Sequence, residues 1–430
     1  MAMTPTTDLL STDPFPGGTS ERGVDAPDLR LFVFALFFIF GGITSLNDVI
    51  IPKLKELFTL SYAQAMLVQS AFFAAYLIMS LPGAAIVRRF GYMRSAAIGL
   101  VTMTAGCLLF IPASASATFG VFLAALFVLA SGITIVQVVA NPLISLLGPP
   151  ATAHSRLTFA QAFNSLGTTI FPYVGAIVIL GGLATVDPKT LSGAALAAYR
   201  EVETRTVVHT YLGLAAALLV VAAVVWNRRS RLHETHAPAR SLLASLDLLG
   251  RRRFGLGAMC IFLYVGAEVA IGSLIVSYLM QPDILGLAQA DAGRLVPFYW
   301  GGALVGRFVG SAALRAIAPG KVLAGVAVAA IVLLFVAATA GGPTAGYALL
   351  AIGLANSIMF PTIFSLASER LGSRAAEGSG VICVAIVGGA IVPVLTGAVA
   401  DATRLSVALA VPAACYAVIA AYGIYARRQA

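Results

Sequence analysis

Apolar runs of twenty or more residues recur along the whole chain, from "LFVFALFFIFGGITSL" near its start to "VALAVPAACYAVIAAYGIYA" near its end. A helix needs about 20 consecutive apolar residues to cross the hydrocarbon of a bilayer, and these runs meet that length. Of 430 residues, 59% are hydrophobic and only 10% are charged, whereas a soluble protein carries charge on about a quarter of its residues. A soluble multidomain fold is excluded because too little polar surface remains to cover the runs. The pattern predicts twelve spans, at 31–51, 62–86, 95–116, 118–146, 157–183, 208–226, 255–280, 292–314, 322–340, 343–367, 377–400 and 405–425.

A net charge of +9 and a pI near 9.6 would suit nucleic acid, but the positions of the charges argue otherwise. With the N-terminus inside, the inner segments hold clusters such as Arg88, Arg89 and Arg94, or Arg251, Arg252 and Arg253. The outer segments hold only Lys53, Lys55, Lys189, Arg200, Arg205, Arg294 and Arg404, and Arg307 alone falls inside a span. That bias is the positive-inside rule with both termini cytoplasmic, and no nucleic-acid partner is expected. Residues 1–29 lack a basic region followed by an apolar one, so they read as a disordered cytoplasmic tail rather than a signal peptide. Cys107, Cys260, Cys383 and Cys415 all fall inside spans without paired spacing, which predicts buried free thiols. His233 and His236 have a metal-like spacing but no further ligands. Neither a metal nor an organic cofactor is expected, and no catalytic constellation points to an enzyme.

The polar stretch 227–254 divides the spans six and six. Residues 30–226 form one predicted bundle and 255–426 a second, followed by a short tail at 427–430. The basic linker carries a candidate interfacial helix at "SLLASLDLL". The halves echo each other at an offset near 220: "FPYVGA" answers "VPVLTGA", "ANP" answers "MFP", and Asp48 answers Glu268. Two parallel repeats of six helices are a transporter design in which the substrate site lies near midplane between the halves.

Polar residues inside the spans mark candidate sites, because an ionised side chain at midplane costs about 2.5–3.5 kcal/mol on insertion scales. Asp48, preceded by Asn47, and Glu268 are the acids placed well inside spans. Each reads as a protonatable group in a watery cavity; the alternatives are a hydrated helix end for Asp48 and, for Glu268, a hydrogen-bond acceptor for substrate or an ion pair with Arg307. Gln137 and Asn141 share one helix face, as do Gln161 and Asn164. These amides either glue helices together or meet sugar hydroxyls, to which they can both donate and accept. Tyr299 and Trp300 offer flat apolar faces to a sugar ring, or serve as packing.

At these motifs the chain resembles the fucose–proton symporter branch of the major facilitator superfamily, which includes glucose/galactose transporters. The resemblance runs through nearly all of 31–425, on "SLNDVIIP", "RRFGYMR", "ANPLISLLGPP", "RLTFAQAFNSLG", "YVGAEVAIGS", "YWGGALVGRF" and "NSIMFPTIFSL". It implies an all-α membrane protein of twelve transmembrane helices in two pseudo-symmetric six-helix bundles, the major facilitator fold. It implies proton-driven monosaccharide uptake through a bacterial inner membrane, by a chain that functions as a monomer. Asp48 then matches the branch's first-span acid, and Gln161 and Asn164 its sugar-binding amides. Arg88 stands where the general facilitator loop motif has an aspartate. Gln137 replaces a fourth-span glutamate of the fucose type, Ser45 an asparagine and Phe360 a tyrosine, while Glu268 is an acid that type lacks.

The expected function is symport of a hexose such as glucose, galactose or mannose, or of an N-acetylhexosamine, rather than of fucose. The proton is the expected coupling ion, with sodium an alternative. Asp48 and Glu268 are the coupling candidates, and Asn47, Gln137, Gln161 and Asn164 the substrate contacts. Ser45, Asn141, Trp300, Arg307, Asn356 and Phe360 form a second tier. An uncoupled facilitator, given that glutamine cannot titrate, is the main alternative; drug efflux and a non-transporting sensor are others.

Overall fold

The computed structural model of the protein describes residues 27–58, 62–116, 118–175, 193–229 and 242–427, and among these every regular element is helical. The N-terminal half runs α1 (Pro27–Leu57), α2 (Tyr62–Phe90), α3 (Tyr92–Leu108) with its continuation α4 (Phe110–Ser116), α5 (Phe119–Leu146), α6 (Ala153–Gly175) and α7 (Gly193–Asn227). The C-terminal half runs α8 (Arg252–Leu279), α9 (Gln289–Ala316) and α10 (Pro319–Thr339), followed by three interrupted spans. These are α11 (Gly342–Asn356) with α12 (Met359–Ser368), α13 (Ala375–Ala385) with α14 (Gly388–Ala402), and α15 (Leu405–Ala408) with α16 (Ala410–Arg427). The twelve predicted spans therefore each have a helix or a pair of helices. Residues 1–26 and most of the linker, with His233 and His236, lie outside the described residues.

Two differences from the predicted spans have physical causes. Helix α7 begins well before the predicted 208, because "GAALAAYREVETRT" is made of good helix formers even though it is too polar to sit in lipid. Ten described segments are long and apolar enough to cross a bilayer unaided. The exceptions, α6 and α9, carry Gln161, Asn164 and Arg307. All four cysteines are free and buried.

The internal repeat is visible in the packing. Helix α1 lies on α6 and α8 lies on α14, while α3 on α7 is matched by α10 on α16. Glycine makes the first pair of contacts possible. A Cβ on Gly167 would sit 2.1 Å from the Phe38 carbonyl oxygen, and one on Gly388 would sit 2.0 Å from that of Phe262. Aligning Phe38 with Phe262 sets α1 against α8 at an offset of 224 residues. Glu268 therefore answers Thr44, and Asp48 answers Gly272, which corrects the expected Asp48–Glu268 match by about one helical turn.

The "LLGPP" corner between α5 and α6 shows how a glycine and an arginine close a helix. Gly148 has φ +128°, a region that disfavours side chains. Next to it, Arg156 donates to the carbonyls of Ile144, Ser145, Gly148 and Pro149 and to Thr152 Oγ1. The α5 carbonyls left over at its C-terminus are thus satisfied. Burial, then the nearby Arg30 charge, pushes the Arg156 guanidinium down to about 10, so it keeps its charge at neutral pH.

The halves meet through α6 on α9 and α2 on α13. Several bridges join them toward the arginine-rich face. Arg88 Nη1 donates to Glu377 Oε1 at 2.8 Å, with side-chain exposures of only 8% and 5%. Glu377 is also held by Arg374 at 2.7 Å, and Arg374 reaches Asp247 of the linker at 2.5 Å. His154 meets Ser365 Oγ at 2.6 Å and Glu369 at 3.0 Å, and Arg253 pairs with that same Glu369. Ser155 and Ser311 exchange hydroxyl-to-carbonyl bonds of 2.7 and 3.1 Å. The linker's expected helix is a 3₁₀ segment, Leu242–Gly250. It turns Ser245 and Leu248 inward and leaves Leu243, Leu246 and Leu249 exposed. Spaced three apart, these leucines share one edge of a 3₁₀ helix and suit a bilayer surface.

Because Arg88–Glu377 is a buried bridge between halves, Arg88→Gln should favour separation of this face by roughly 1.4 kcal/mol, a tenfold shift. Maleimide labelling of a cysteine placed at Ser80, which is buried against Gly380 of the other half, should then speed up about tenfold from the arginine-rich side. An unchanged rate would mean that the bridge does not hold the face shut.

Candidate functional site

Between the halves lies a cavity of about 160 Å³. Helix α1 contributes Phe40, Gly41 and Thr44, α2 Tyr76, α5 Gln137, and α6 Gln161, Asn164 and Thr168. From the second half come Tyr264, Val265 and Glu268 of α8, Arg307 of α9, Phe360 of α12 and Ile386 at the α13–α14 break. Each half thus supplies both polar groups and aromatic faces. Gly41 explains how Asn164 reaches the cavity: a Cβ there would lie 2.3 Å from Asn164 Nδ2.

Hydrogen bonds fix how the amides face. The Tyr76 hydroxyl donates to Gln137 Oε1 at 2.7 Å. Gln161 Nε2 donates to Asn141 Oδ1, and Asn164 Nδ2 to the Phe37 carbonyl, each at 3.4 Å. Asn141 is fully buried and stands behind Gln161 instead of lining the cavity. The Thr44 and Thr168 hydroxyls donate to their own helix, at Phe40 O and Ser165 O. Ser45 does the same toward Gly42 O at 2.8 Å and, contrary to expectation, lies outside the lining.

Glu268 is half-buried, and its Oε1 accepts from the Tyr264 hydroxyl at 2.7 Å. The same hydroxyl lies 3.1 Å from Asn356 O, a second acceptor for its one proton. Tyr299 donates to the Glu268 carbonyl at 3.3 Å and accepts from Asn356 Nδ2 at 2.8 Å. Asn356 is fully buried, so it acts one layer behind the wall. Trp300 packs edge-on against Tyr299 and is 39% exposed, outside the cavity lining, which corrects its expected place at the sugar face.

The alternative of a Glu268–Arg307 ion pair is not formed among the described residues; both line the cavity while Arg307 bonds elsewhere. Its Nε donates to Ser357 O at 3.0 Å, and Nη1 donates to Gln161 O at 2.9 Å and also to Ser165 Oγ. Pro361 explains the first of these. It has no N–H, so the Ser357 carbonyl four residues earlier loses its helical partner, and α11 breaks from α12 there. The guanidinium takes that vacant acceptor and reaches across to α6, joining the two halves beside the cavity.

Asn47 and Asp48 lie on α1 beyond Thr44, and their side chains fall outside the described residues. Of the other expected residues, Gln137, Gln161, Asn164, Glu268, Arg307 and Phe360 converge on one cavity. Tyr76 and Tyr264 were missed. Tyr264 stands four residues before Glu268 on the same helix face, a signal the sequence did carry. Tyr76 has its partner 61 residues away, and nothing local announces it.

The sequence profile described as Major Facilitator Superfamily matches residues 33–393. A protein of Brucella abortus named "Glucose/galactose transporter" is 49% identical over 389 residues, covering 90% of this chain and 92% of that one. The "L-fucose-proton symporter" of Escherichia coli is 34% identical over 399 residues, covering 90% of each chain. A crystal structure of the major facilitator superfamily transporter FucP in the outward conformation matches with a TM-score of 0.85 at 31% identity, covering 93% of this chain and 98% of that chain.

The role found for Arg307 predicts a non-additive pair. Arg307→Met leaves the Ser357 carbonyl unpaired and should cost about 1.5–3 kcal/mol, as for other bonds to charged groups. Adding Pro361→Ala restores an N–H to that carbonyl and should recover part of the loss. Thermal unfolding of the purified single and double variants in detergent measures the coupling, and strictly additive losses would refute it.

Proposed function

The chain belongs to the major facilitator superfamily, and from that membership we propose that it imports a monosaccharide, a hexose of the glucose/galactose kind, together with a proton. The observation that carries this reading is the cavity between the halves, walled by Gln137, Gln161, Asn164, Glu268 and Arg307 with the rings of Phe40 and Phe360. Amides and charges there match a dense set of hydroxyls, and the apolar rings suit the carbon faces of a pyranose. The names of the Brucella and E. coli relatives agree with a hexose and with a proton. No organic cofactor or metal enters the cycle.

In this proposal the arginine-rich face is cytoplasmic, following the positive-inside bias, and the membrane is the inner membrane of a bacterium. Bridges such as Arg88–Glu377 and His154–Glu369 hold that side shut, so the conformation is the outward-facing one. Sugar and proton enter from outside, the halves rock about the cavity, and the bridges part. Glu268 serves as a coupling acid: its carboxylate has a tyrosine donor and, among the described residues, no bonded cation, so it can take a proton without breaking an ion pair. Asp48 on α1 serves as the other. One proton driven by 100 mV supplies about 2.3 kcal/mol, enough for roughly fifty-fold accumulation at about 1.4 kcal/mol per tenfold.

Reconstituted liposomes given labelled glucose or galactose and an inward proton gradient test this. The wild type should accumulate sugar above equilibrium and lose the excess when a protonophore is added. Asp48→Asn should abolish accumulation yet leave exchange of labelled sugar detectable, and Glu268→Gln should do likewise. Wild-type accumulation in either variant would remove that acid from the coupling step. Equilibration of the wild type to the same endpoint with or without the gradient would rule out symport.

A further inference from the structure

Within the cavity, donors and acceptors are unevenly distributed. Gln161 uses one of its two N–H groups on Asn141, and Asn164 one of its two on Phe37 O, so each keeps an unbonded carbonyl oxygen and a single N–H for the space. Thr44 and Thr168 have given their protons to backbone oxygens and can only accept. Glu268 adds carboxylate oxygen. Gln137 is the reverse case. Its carbonyl is held by the Tyr76 hydroxyl at 2.7 Å, with Tyr76 4% and Gln137 7% exposed, which leaves the NH₂ toward the cavity. On the opposite half Arg307 also lines the cavity, with its Nη2 unbonded among the described residues and available as a further donor.

We propose that Tyr76 is a positioning residue that sets the hydrogen-bond polarity of the sugar site. By holding the Gln137 carbonyl it fixes that amide as a donor in an acceptor-rich cavity, so one sugar oxygen is read as an acceptor while most other hydroxyls are read as donors. The proposal rests on the monosaccharide reading given above and deepens it. Without the Tyr76 hydroxyl, the amide is no longer held in one orientation. If position 137 instead carries a carboxylate, the Tyr76 proton bonds one oxygen, and the other presents an acceptor where a donor stood.

Deoxyfluoro sugars test this, because fluorine in place of hydroxyl can accept a hydrogen bond but cannot donate one, and a deoxy carbon does neither. Competition by the deoxy and deoxyfluoro series against labelled hexose is measured in exchange at pH 8 with no gradient. In the wild type, at the ring position facing Gln137, the fluoro sugar should compete within about threefold of the parent. The deoxy sugar should lose about tenfold there, the scale of one neutral hydrogen bond. In Gln137→Glu, which keeps the side-chain shape, the fluoro sugar at that position should fall to the deoxy level or below while the parent still competes. Tyr76→Phe should raise KM about tenfold, by more than it lowers the maximal rate, and should narrow the fluoro–deoxy gap at that one position. An analogue ranking unchanged in both variants would overturn the polarity role while leaving hexose transport standing. If the wild type exchanges no hexose, the monosaccharide reading itself fails and the polarity role falls with it.

Discussion

A polar group buried in a membrane protein has no bulk water to fall back on, so each one must find its partner within the fold. Arg307 meets that demand at the most exacting point of this molecule. Its guanidinium takes the carbonyl that Pro361 has left without an N–H and, with the remaining arm, a carbonyl and a hydroxyl on α6. Bonds of this kind are directional and strong when one partner is charged. The contact of α9 with α6 and one wall of the cavity depend on that side chain, which also satisfies the carbonyl freed where α11 breaks from α12. Loss of the charged donor here would strand the Ser357 carbonyl in one half and cut its tie to α6 in the other.

The same logic orders the rest of the interface. Polar bridges concentrate toward the arginine-rich face, where Arg88, His154 and Ser155 cross to Glu377, Glu369 and Ser311. Some are half-hydrated and others nearly dry, so breaking them costs different amounts. A gate built from several modest bonds can open in response to small changes at the cavity, since no single bond holds it. The linker takes part through Asp247 and Arg374, so the segment joining the halves also ties into the gate that parts them.

Much of the fold was legible because the bilayer imposes a single length and a single polarity rule on every span. Helix count and the six-and-six division follow from apolar periodicity interrupted by rare polar residues, whereas the amides could equally have been helix glue, and the resemblance to the symporter branch placed Gln161 and Asn164 at the site. What the sequence hid was register and pairing. The offset between α1 and α8 is set by where glycine lets Phe38 and Phe262 approach, and that shifted the partner of Glu268 from Asp48 to Thr44. Arg307 was one candidate counter-ion for Glu268 because opposite charges invite pairing. The structure gives it instead to backbone oxygens, whose availability depends on a proline fifty-four positions further along the chain. Trp300 could serve as a sugar platform or as packing on its ring alone, and its edge-on contact with Tyr299, outside the cavity lining, makes it packing.

Arg307 grips the main chain of Gln161 and not its side chain. The amide that faces the cavity and the backbone oxygen that ties the halves belong to one residue but answer to different constraints. Replacing the Gln161 side chain rewrites what the cavity can recognise while leaving the tie between halves intact, because every residue at that position carries the same carbonyl. A scaffold with this separation can change its cargo by point substitution without renegotiating the machinery that moves it.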